Sequence, residues 1–402
     1  MNKIELLAPA GDMECVEAAA RFGADAVYLG GDLLQLRAKN AGFTRDDIAV
    51  AAKFLHSKKK KLYVTVNSFA KNCEIPACKE YARFLSDAGV DAVIISDLGV
   101  LAEFAAAAPE LERHISTQAN CMNYRTAQVY ASLGAKRIVL ARETSLQEIA
   151  EMHELLGDDV ELEAFVHGAM CMAYSGRCLI SSYLTGRSGN RGACTQPCRW
   201  TYTLTEEKRP GEYFPVEEDE KGFTIMSSHD LCCIDLLDEL VQAGVTSFKI
   251  EGRMKTAYYV ATAVNAYRRR MDGTLSATEC RNELDCLQHR PYSTGFYYGE
   301  LKKGHYNDGL YRASCRFMAN VLDWKDNVLT LRQRNNFKVG DTLEVLSPNL
   351  EPVSFPVQWI KNENDELQQS APHPNQIVRI PCEYPLTPGD ILRRREDVLV
   401  QS

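Results

Sequence analysis

One phrase recurs along the first two thirds of the chain and restricts the fold more than any other feature. It consists of the end of a helix, a glycine, a short link and an apolar strand. Repeated helix–strand units of this kind build a parallel sheet whose strands are buried on both faces. The phrase occurs as RFGADAVYL (21–29), DAGVDAVII (87–95), SLGAKRIVL (132–140) and QAGVTSFKI (242–250).

Short runs rich in valine and isoleucine predict eight strands, and helical patterns occupy the intervals between them. Eight parallel strands alternating with helices predict an α/β fold, a TIM-type (β/α)8 barrel. The predicted strands are 4–8, 26–30, 62–67, 92–96, 114–117, 137–141, 161–166 and 247–250.

The spacing of the strands is broken once, after the seventh strand. The 80 residues 167–246 separate the last two strands, whereas the other intervals are much shorter. We interpret residues 168–226 as a cysteine-rich insertion. Because the insertion directly follows a strand, it should lie at the carboxyl-terminal face of the barrel, where barrel enzymes place their chemistry.

After about residue 315 the pattern changes to alternating polar and apolar residues, separated by the turns VGD and PGD. This pattern is typical of antiparallel strands and predicts a small C-terminal antiparallel β-barrel. We therefore expect two domains, a barrel catalytic domain over 1–312 and a β-barrel domain over 315–402.

Charge and cysteine usage narrow the function classes. The chain has 402 residues and a formal net charge of -8, which argues against a non-specific nucleic-acid coat but leaves room for a local basic surface. The first residues do not resemble a signal peptide, and no apolar run reaches the length of a membrane span. We expect a cytoplasmic protein without membrane association, in which the 14 cysteines are reduced.

The segment 168–200 carries four cysteines and four arginines and no acidic residue. The cysteine spacing, C-x6-C-x15-C-x3-C, lacks the two tight pairs of a zinc ribbon. Thiol ligands with uneven spacing suit an iron–sulfur cluster, but structural zinc and four reduced thiols stay open as alternatives. The four cysteines are Cys171, Cys178, Cys194 and Cys198, and Cys232 or Cys233 could replace one of them as a ligand.

Polar residues follow most of the predicted strands, and they should gather at the same face of the barrel. Their number exceeds what stability requires at a barrel rim, so we interpret them as a polar substrate pocket, although Asp97 could instead cap a helix. The arginines favour an anionic ligand. The candidates for substrate binding are Asn67, Gln118, Arg142, Glu143, Arg177 and Arg253, and His167 and Glu251 also end strands.

Four stretches of the sequence resemble the collagenase-like peptidase family, whose better-characterised relatives are oxygen-independent hydroxylation proteins. The resemblance covers nearly the whole chain and is closest to the tRNA branch, which makes 5-hydroxyuridine at position 34 with prephenate. The stretches are ELLAPAGD, GADAVYLG, EAFVHGAMCMAYSGRCLISSYLTGRSGNRGACTQPCRW and SFKIEGRMKTAYYV.

The resemblance implies a [4Fe–4S] cluster held by Cys171, Cys178, Cys194 and Cys198, with Cys232 as the alternative fourth ligand. It also implies tRNA as the partner, prephenate as the anionic co-substrate and a ferredoxin-like electron donor. Within this reading His167 and Glu251 are the candidates for proton transfer, because both end barrel strands.

Three alternatives to this function remain open. The family name implies a peptidase, yet the sequence has neither H-E-x-x-H nor G-x-S-x-G, and a cysteine nucleophile paired with His167 would leave three thiols unexplained. The substrate of a hydroxylase could also be another RNA or a quinone precursor. A non-enzymatic RNA-binding protein with a structural zinc is the third reading.

Overall fold

The computed structural model describes residues 4–36, 42–171, 173–200, 218–219, 222–223, 229–299, 311–348 and 350–396. Its first feature is a closed barrel of eight parallel strands, which confirms the predicted fold class. The eighth strand of the barrel pairs with both the first and the seventh, and these pairings close the barrel. The strands are β1 (Glu5–Pro9), β2 (Ala26–Gly30), β3 (Lys61–Val66), β4 (Ala92–Ile95), β5 (Glu112–Ile115), β6 (Arg137–Val139), β7 (Glu161–Ala169) and β8 (Val245–Ile250).

Helices alternate with the strands along the chain, and local signals set where several of them begin. Thr44 and Ser145 each start a helix with a capping box, in which the side chain and a carboxylate three residues later satisfy the first amide groups. The helices are α1 (Met13–Phe22), α2 (Arg45–Ser57), α3 (Ile75–Asp87), α4 (Leu98–Ala107), α5 (Tyr124–Ser132), α6 (Leu146–Leu156), α7 (Ile180–Thr185), α8 (Leu237–Gln242), α9 (Ala257–Met271) and α10 (Ala277–Leu284).

The insertion begins where β7 ends, as predicted, and β7 is longer than the sequence indicated. The short strand Asp230–Cys232 pairs antiparallel with the last residues of β7, and Tyr292–Ser293 pairs with that short strand. These extra pairings extend β7 to Ala169. Most of the predicted insertion after residue 200 lies outside the described residues.

The C-terminal strands form an antiparallel sheet, which confirms the predicted strand type. The strands are β9 (Cys315–Lys325), β10 (Val328–Gln333), β11 (Phe337–Lys338), β12 (Thr342–Leu346), β13 (Ser354–Pro356), β14 (Ile360–Lys361), β15 (Leu367–Gln368), β16 (Ser370–Ala371), β17 (Ile377–Pro381) and β18 (Ile391–Arg395). The sheet is an open half-barrel with the strand order β13-β12-β18-β9-β10-β17-β14-β15, and β11 and β16 form a separate two-stranded sheet.

The compact units of the structure divide the chain differently from the predicted boundaries 1–312 and 315–402. The second unit contains 17–23 and 256–289 together with 311–402. Inside this unit the fully buried Arg393 forms ion pairs with Glu283 on α10 and with Glu344 on β12. The Tyr258 and Phe317 rings stack with centroids 5.2 Å apart. These contacts join the last helices to the C-terminal sheet, which the local sequence pattern does not reveal.

Charged side chains occupy part of the barrel interior, where aliphatic residues are usual. Glu163 is fully buried, and its carboxylate lies 2.7 Å from Lys249 Nζ and 3.0 Å from Arg137 Nη1. Arg137 also pairs with Glu5 at 2.6 Å. Burial alone would raise the pKa of Glu163, but the attraction of Lys249 and Arg137 outweighs burial and lowers that pKa to about 2.

Among the residues described in the structure, we find no helix with both the length and the apolar character that crossing a bilayer requires.

Replacing Glu163 by glutamine should lower the free energy of unfolding by about 3 to 5 kcal/mol, because Lys249 then keeps a buried charge without its carboxylate partner. The matched control is Glu161→Gln. Its carboxylate contacts Arg137 at 2.6 Å, but its side chain is 49% exposed, so its loss should cost less than about 1 kcal/mol. Urea unfolding measures both variants, and equal losses would contradict the buried network.

The same carboxyl predicts a pH dependence. A group whose folded pKa lies near 2, below the ordinary 4.5, contributes stability that is complete above pH 4.5 and is lost as the pH falls toward 2. This contribution is about 3 kcal/mol. The difference in unfolding free energy between wild type and Glu163→Gln should therefore shrink when urea unfolding is repeated at decreasing pH below 4.5.

Candidate functional site

A cleft of about 200 Å³ opens at the carboxyl-terminal ends of the barrel strands, the face predicted for the chemistry. The insertion forms one wall and the strand ends form the other. All four cysteines of the insertion line this cleft. The strand-end residues on its wall include Asn67, Gln118, Arg142, Glu143, Glu251 and Arg253.

The four thiols face the cleft rather than an apolar core. Cys171 and Cys194 are exposed, and Cys178 and Cys198 are partly buried. Within the part of the chain that the structure describes, no three Cys, His, Asp or Glu side chains converge closely enough to hold a single metal ion. Cysteine thiolates are ligands of both structural zinc and iron–sulfur clusters, and in a cluster each cysteine binds a different iron. The donor chemistry of this wall therefore fits a cluster.

Glu143 fastens the cysteine segment to the barrel rim. Its carboxylate accepts hydrogen bonds from the Ser175 backbone N–H at 2.9 Å and from the Ser175 hydroxyl at 3.1 Å. The next residue, Gly176, has a φ of +72°, and a Cβ there would lie 2.1 Å from the Gln118 carbonyl oxygen. Only glycine permits this close approach. The Glu143 side chain and the Gln118 backbone therefore position the insertion. Both residues also line the cleft, and their predicted role in substrate binding stays a prediction.

Arg191 fastens the other end of the segment. Its guanidinium pairs with Glu74 at 3.0 Å and also donates to the Phe69 carbonyl oxygen. Beside it, Asn190 Nδ2 donates to the Cys178 carbonyl oxygen at 2.9 Å. Two loops of the barrel rim thus hold the cysteine segment at separate points, which fixes the backbone that carries the thiols.

Arg142 and Glu251 form an ion pair at the cleft wall, with 3.2 Å between Arg142 Nη2 and Glu251 Oε2. Arg142 also donates to the Ala169 carbonyl oxygen at 2.9 Å, and its guanidinium lies 4.1 Å from the centre of the Phe165 ring. Both side chains retain some exposure to the cleft. The pair combines an acid that can accept a proton with a cation that favours an anionic ligand.

Arg253 lies deeper and is tied to the protein itself. Its guanidinium donates to Thr65 Oγ1 at 2.8 Å, to Gln35 Oε1 at 3.2 Å and to the Leu36 carbonyl oxygen. It is 7% exposed. These contacts give Arg253 a positioning role at the cleft wall in addition to its positive charge.

Asn67 lines the cleft. Its Nδ2 donates to Ser116 Oγ at 3.3 Å, while its Oδ1 is buried and has no hydrogen-bond partner in the structure. A buried acceptor without a partner costs free energy. The predicted role of Asn67 as a substrate contact stays a prediction.

Lys249 is a cleft residue that the sequence reasoning missed. Its Nζ contacts Glu163 and lies 4.4 Å from the centre of the Tyr28 ring, and both Lys249 and Tyr28 line the cleft. Burial lowers the pKa of Lys249 from its ordinary value, and the Glu163 carboxylate opposes that shift. Strand alternation could have revealed it, because Ser247, Lys249 and Glu251 must share one face of β8.

Three predicted residues do not reach the cleft. The pairing of β7 with β8 is irregular between Phe165 and His167, so His167 pairs with Ile250 instead of keeping the inward register. Its ring lies 5.6 Å from that of Tyr292, and it is buried. Arg177 is on the surface. Cys232 is buried on its short strand, which leaves Cys198 as the better-placed fourth thiol.

The aspartate that follows β4 has the structural role that the sequence left open for it. Asp97 Oδ1 accepts hydrogen bonds from the Gly99 and Val100 backbone amides at 2.8 and 3.1 Å, so it caps α4.

Comparison with known proteins gives two family matches that together span most of the chain. The model described as peptidase family U32 matches residues 11–307, and the model for the C-terminal domain of that family matches residues 313–393.

The relatives that match this chain include proteins named for RNA hydroxylation. The tRNA hydroxylation protein P1 of Bacillus subtilis (strain 168) is 36% identical over 404 residues, covering 98% of this chain and 95% of that protein. The tRNA hydroxylation protein P of Escherichia coli (strain K12) is 34% identical over 428 residues, covering 95% and 94%. The 23S rRNA 5-hydroxycytidine C2501 synthase of Escherichia coli (strain K12) is 38% identical over 274 residues, covering 68% and 40%.

Replacing Gly176 by alanine should loosen the cysteine segment, because the new Cβ would collide with the Gln118 carbonyl oxygen. Trypsin should then cut at Arg177 or Arg187 several-fold faster than in wild type, as mass spectrometry of the fragments would measure. Gly186→Ala is the matched control. Gly186 also has a positive φ, +67°, but nothing lies within 4 Å of its added Cβ. Equal cleavage rates in the two variants would contradict the proposed close contact.

Proposed function

The chain belongs to peptidase family U32, and on that premise we propose that it is an RNA-modifying enzyme that hydroxylates tRNA. The observation that carries the proposal is the cleft at the barrel face, with four thiols on one wall and acid, amide and cationic groups on the other. Two relatives that match almost the whole chain are tRNA hydroxylation proteins. The finer proposal is 5-hydroxyuridine formation at uridine 34, with prephenate as co-substrate.

We further propose that Cys171, Cys178, Cys194 and Cys198 hold a [4Fe–4S] cluster. All four line the same cleft, and the contacts of Glu143 and Arg191 fix the backbone between them. The cluster would supply redox or Lewis-acid chemistry beside the substrate. A ferredoxin-like protein is the proposed electron donor.

The groups across the cleft would bind and orient the substrates. Arg142 and Lys249 bring positive charge to the cleft, which favours the carboxylates of prephenate and the phosphates of RNA. Asn67 lines the cleft, and its side-chain amide would form a hydrogen bond with a base. The rings of Tyr28 and Phe165 pack against Lys249 and Arg142, which holds these cations at the cleft wall.

Glu251 is the better of the two predicted candidates for proton transfer. It lines the cleft, where Arg142 holds its carboxylate in place through the ion pair, and a carboxyl group at this position can take part in proton transfer. His167 is not retained in this role because its ring is buried outside the cleft beside Tyr292.

The alternatives lose support for separate reasons. A peptidase with a Cys–His pair would need an imidazole next to a thiol, and His167 does not line the cleft that contains the thiols. Hydroxylation of another RNA stays a second candidate, since one relative is a 23S rRNA 5-hydroxycytidine synthase. A quinone precursor or a structural zinc has no comparable observation in its favour.

Replacing Cys171 or Cys178 by alanine should abolish tRNA hydroxylation, because each removes one proposed ligand. The measurement is nucleoside mass spectrometry of tRNA from a strain that lacks this gene, complemented with each variant. Cys73→Ala is the control, since Cys73 is exposed but does not line the cleft. Its product level should equal that of wild type.

Anaerobic purification tests the cofactor independently. Wild type should contain iron and sulfide and absorb visible light, and Cys178→Ala should lose most of both. Zinc without sulfide would refute the cluster. Unchanged 5-hydroxyuridine in Cys171→Ala cells would refute the role of the thiols, while hydroxylated cytidine in ribosomal RNA would favour the second candidate.

A further inference from the structure

The cysteine segment presents large side chains to solvent outside the cleft. Helix α7 exposes Leu179 just before it and Tyr183 within it, at 73% and 87% of their surfaces. Tyr174, on the cleft side of the same segment, is 58% exposed. An isolated exposed apolar residue is ordinary, but a group of them on one short segment marks an interaction surface.

The fold of α7 causes this exposure. Ser181 is fully buried, its hydroxyl lies 3.2 Å from Thr195 Oγ1, and it also accepts a hydrogen bond from the Thr195 backbone N–H. Thr185 Oγ1 lies 3.3 Å from the same Thr195 hydroxyl. This polar face attaches α7 to the turn that contains Cys194 and Cys198, so the opposite face, with Tyr183, must point to solvent.

Arginines alternate with these rings along the segment. Arg177 and Arg187 are exposed on the same segment, and residues 168–200 contain no aspartate or glutamate although the whole chain carries a net charge of -8. Rings interleaved with arginines suit single-stranded nucleic acid, since bases stack on the rings and guanidinium groups bind phosphates. Double-stranded nucleic acid keeps its bases stacked inside the helix, so it would contact the arginines but not the rings.

We propose that Tyr174, Tyr183, Arg177 and Arg187 form a docking surface for a single-stranded RNA loop, and we name it the loop platform. This inference rests on the proposed function, and it assigns the recognition of RNA to residues outside the cleft. Tyr174 belongs to both regions, because it lines the cleft and is also exposed. A base that stacks on Tyr174 would therefore lie at the edge of the cleft that the thiols line.

The binding test uses the intact protein and a fluorescently labelled RNA hairpin with a seven-nucleotide loop. Fluorescence anisotropy should show binding about tenfold weaker for Tyr183→Ala and for Tyr174→Ala, the loss expected for one stacked base. Arg187→Ala should weaken binding and lower the dependence of log affinity on log salt by about one unit. A blunt duplex with the same stem should bind weakly and should not distinguish the tyrosine variants.

Two controls separate stacking from general damage. Tyr183→Phe keeps the ring and should bind like wild type, and Leu155→Ala removes an exposed apolar side chain at the end of α6 and should also bind like wild type. Wild-type affinity in both Tyr174→Ala and Tyr183→Ala would overturn the platform. Binding of anionic lipid vesicles that depends on Tyr183, with hairpin binding unchanged, would overturn it in favour of a membrane.

Complementation distinguishes failure of this inference from failure of the proposed function. If wild type restores hydroxylated tRNA in the deletion strain and the tyrosine variants restore it equally and bind the hairpin normally, the platform is wrong and the function stands. If wild type neither restores the nucleoside nor binds the hairpin, the proposed function fails, and the platform with it.

Discussion

The ion pair of Glu163 with Lys249 is the interaction on which the site depends. A carboxylate that is fully buried in a barrel is tolerated only when cations compensate it, and Lys249 and Arg137 do so from two other strands. These ion pairs link β7 to β8 and to β6. Lys249 belongs to the cleft wall, so the charge pairing that satisfies the barrel interior also places a cation at the cleft.

Paired cations also occur in the wall of the cleft. Arg142 is balanced by Glu251 and packs on Phe165, while Arg253 is bound by Gln35 and Thr65. Such paired cations keep their geometry before a ligand arrives, which reduces the reorganisation required on binding. The cleft therefore offers a fixed set of polar groups rather than mobile surface charges.

The insertion depends on the barrel for its shape. It has little regular structure in its described part, and its backbone is held by Glu143, by the close approach of Gly176 and by the Arg191–Glu74 pair. Successive thiols that are separated by as many as 15 residues in sequence consequently face one cleft. The outer surface of the same segment is free of that constraint and can present rings to a macromolecule.

The sequence by itself determined the strand count, the barrel, the place of the insertion and the cysteine wall, because periodicity and spacing are local properties that follow from backbone geometry. The tertiary structure alone decided which polar residues share the cleft. An irregularity in the pairing of β7 with β8 separates His167 from the thiols, and Glu143 and Gln118 contact the insertion. Strand alternation could have placed Lys249 on the inner face, but only the closed barrel brings Glu163 to it from a neighbouring strand. Register and long-range pairing have no short-range signal, since each depends on contacts between residues far apart in the chain.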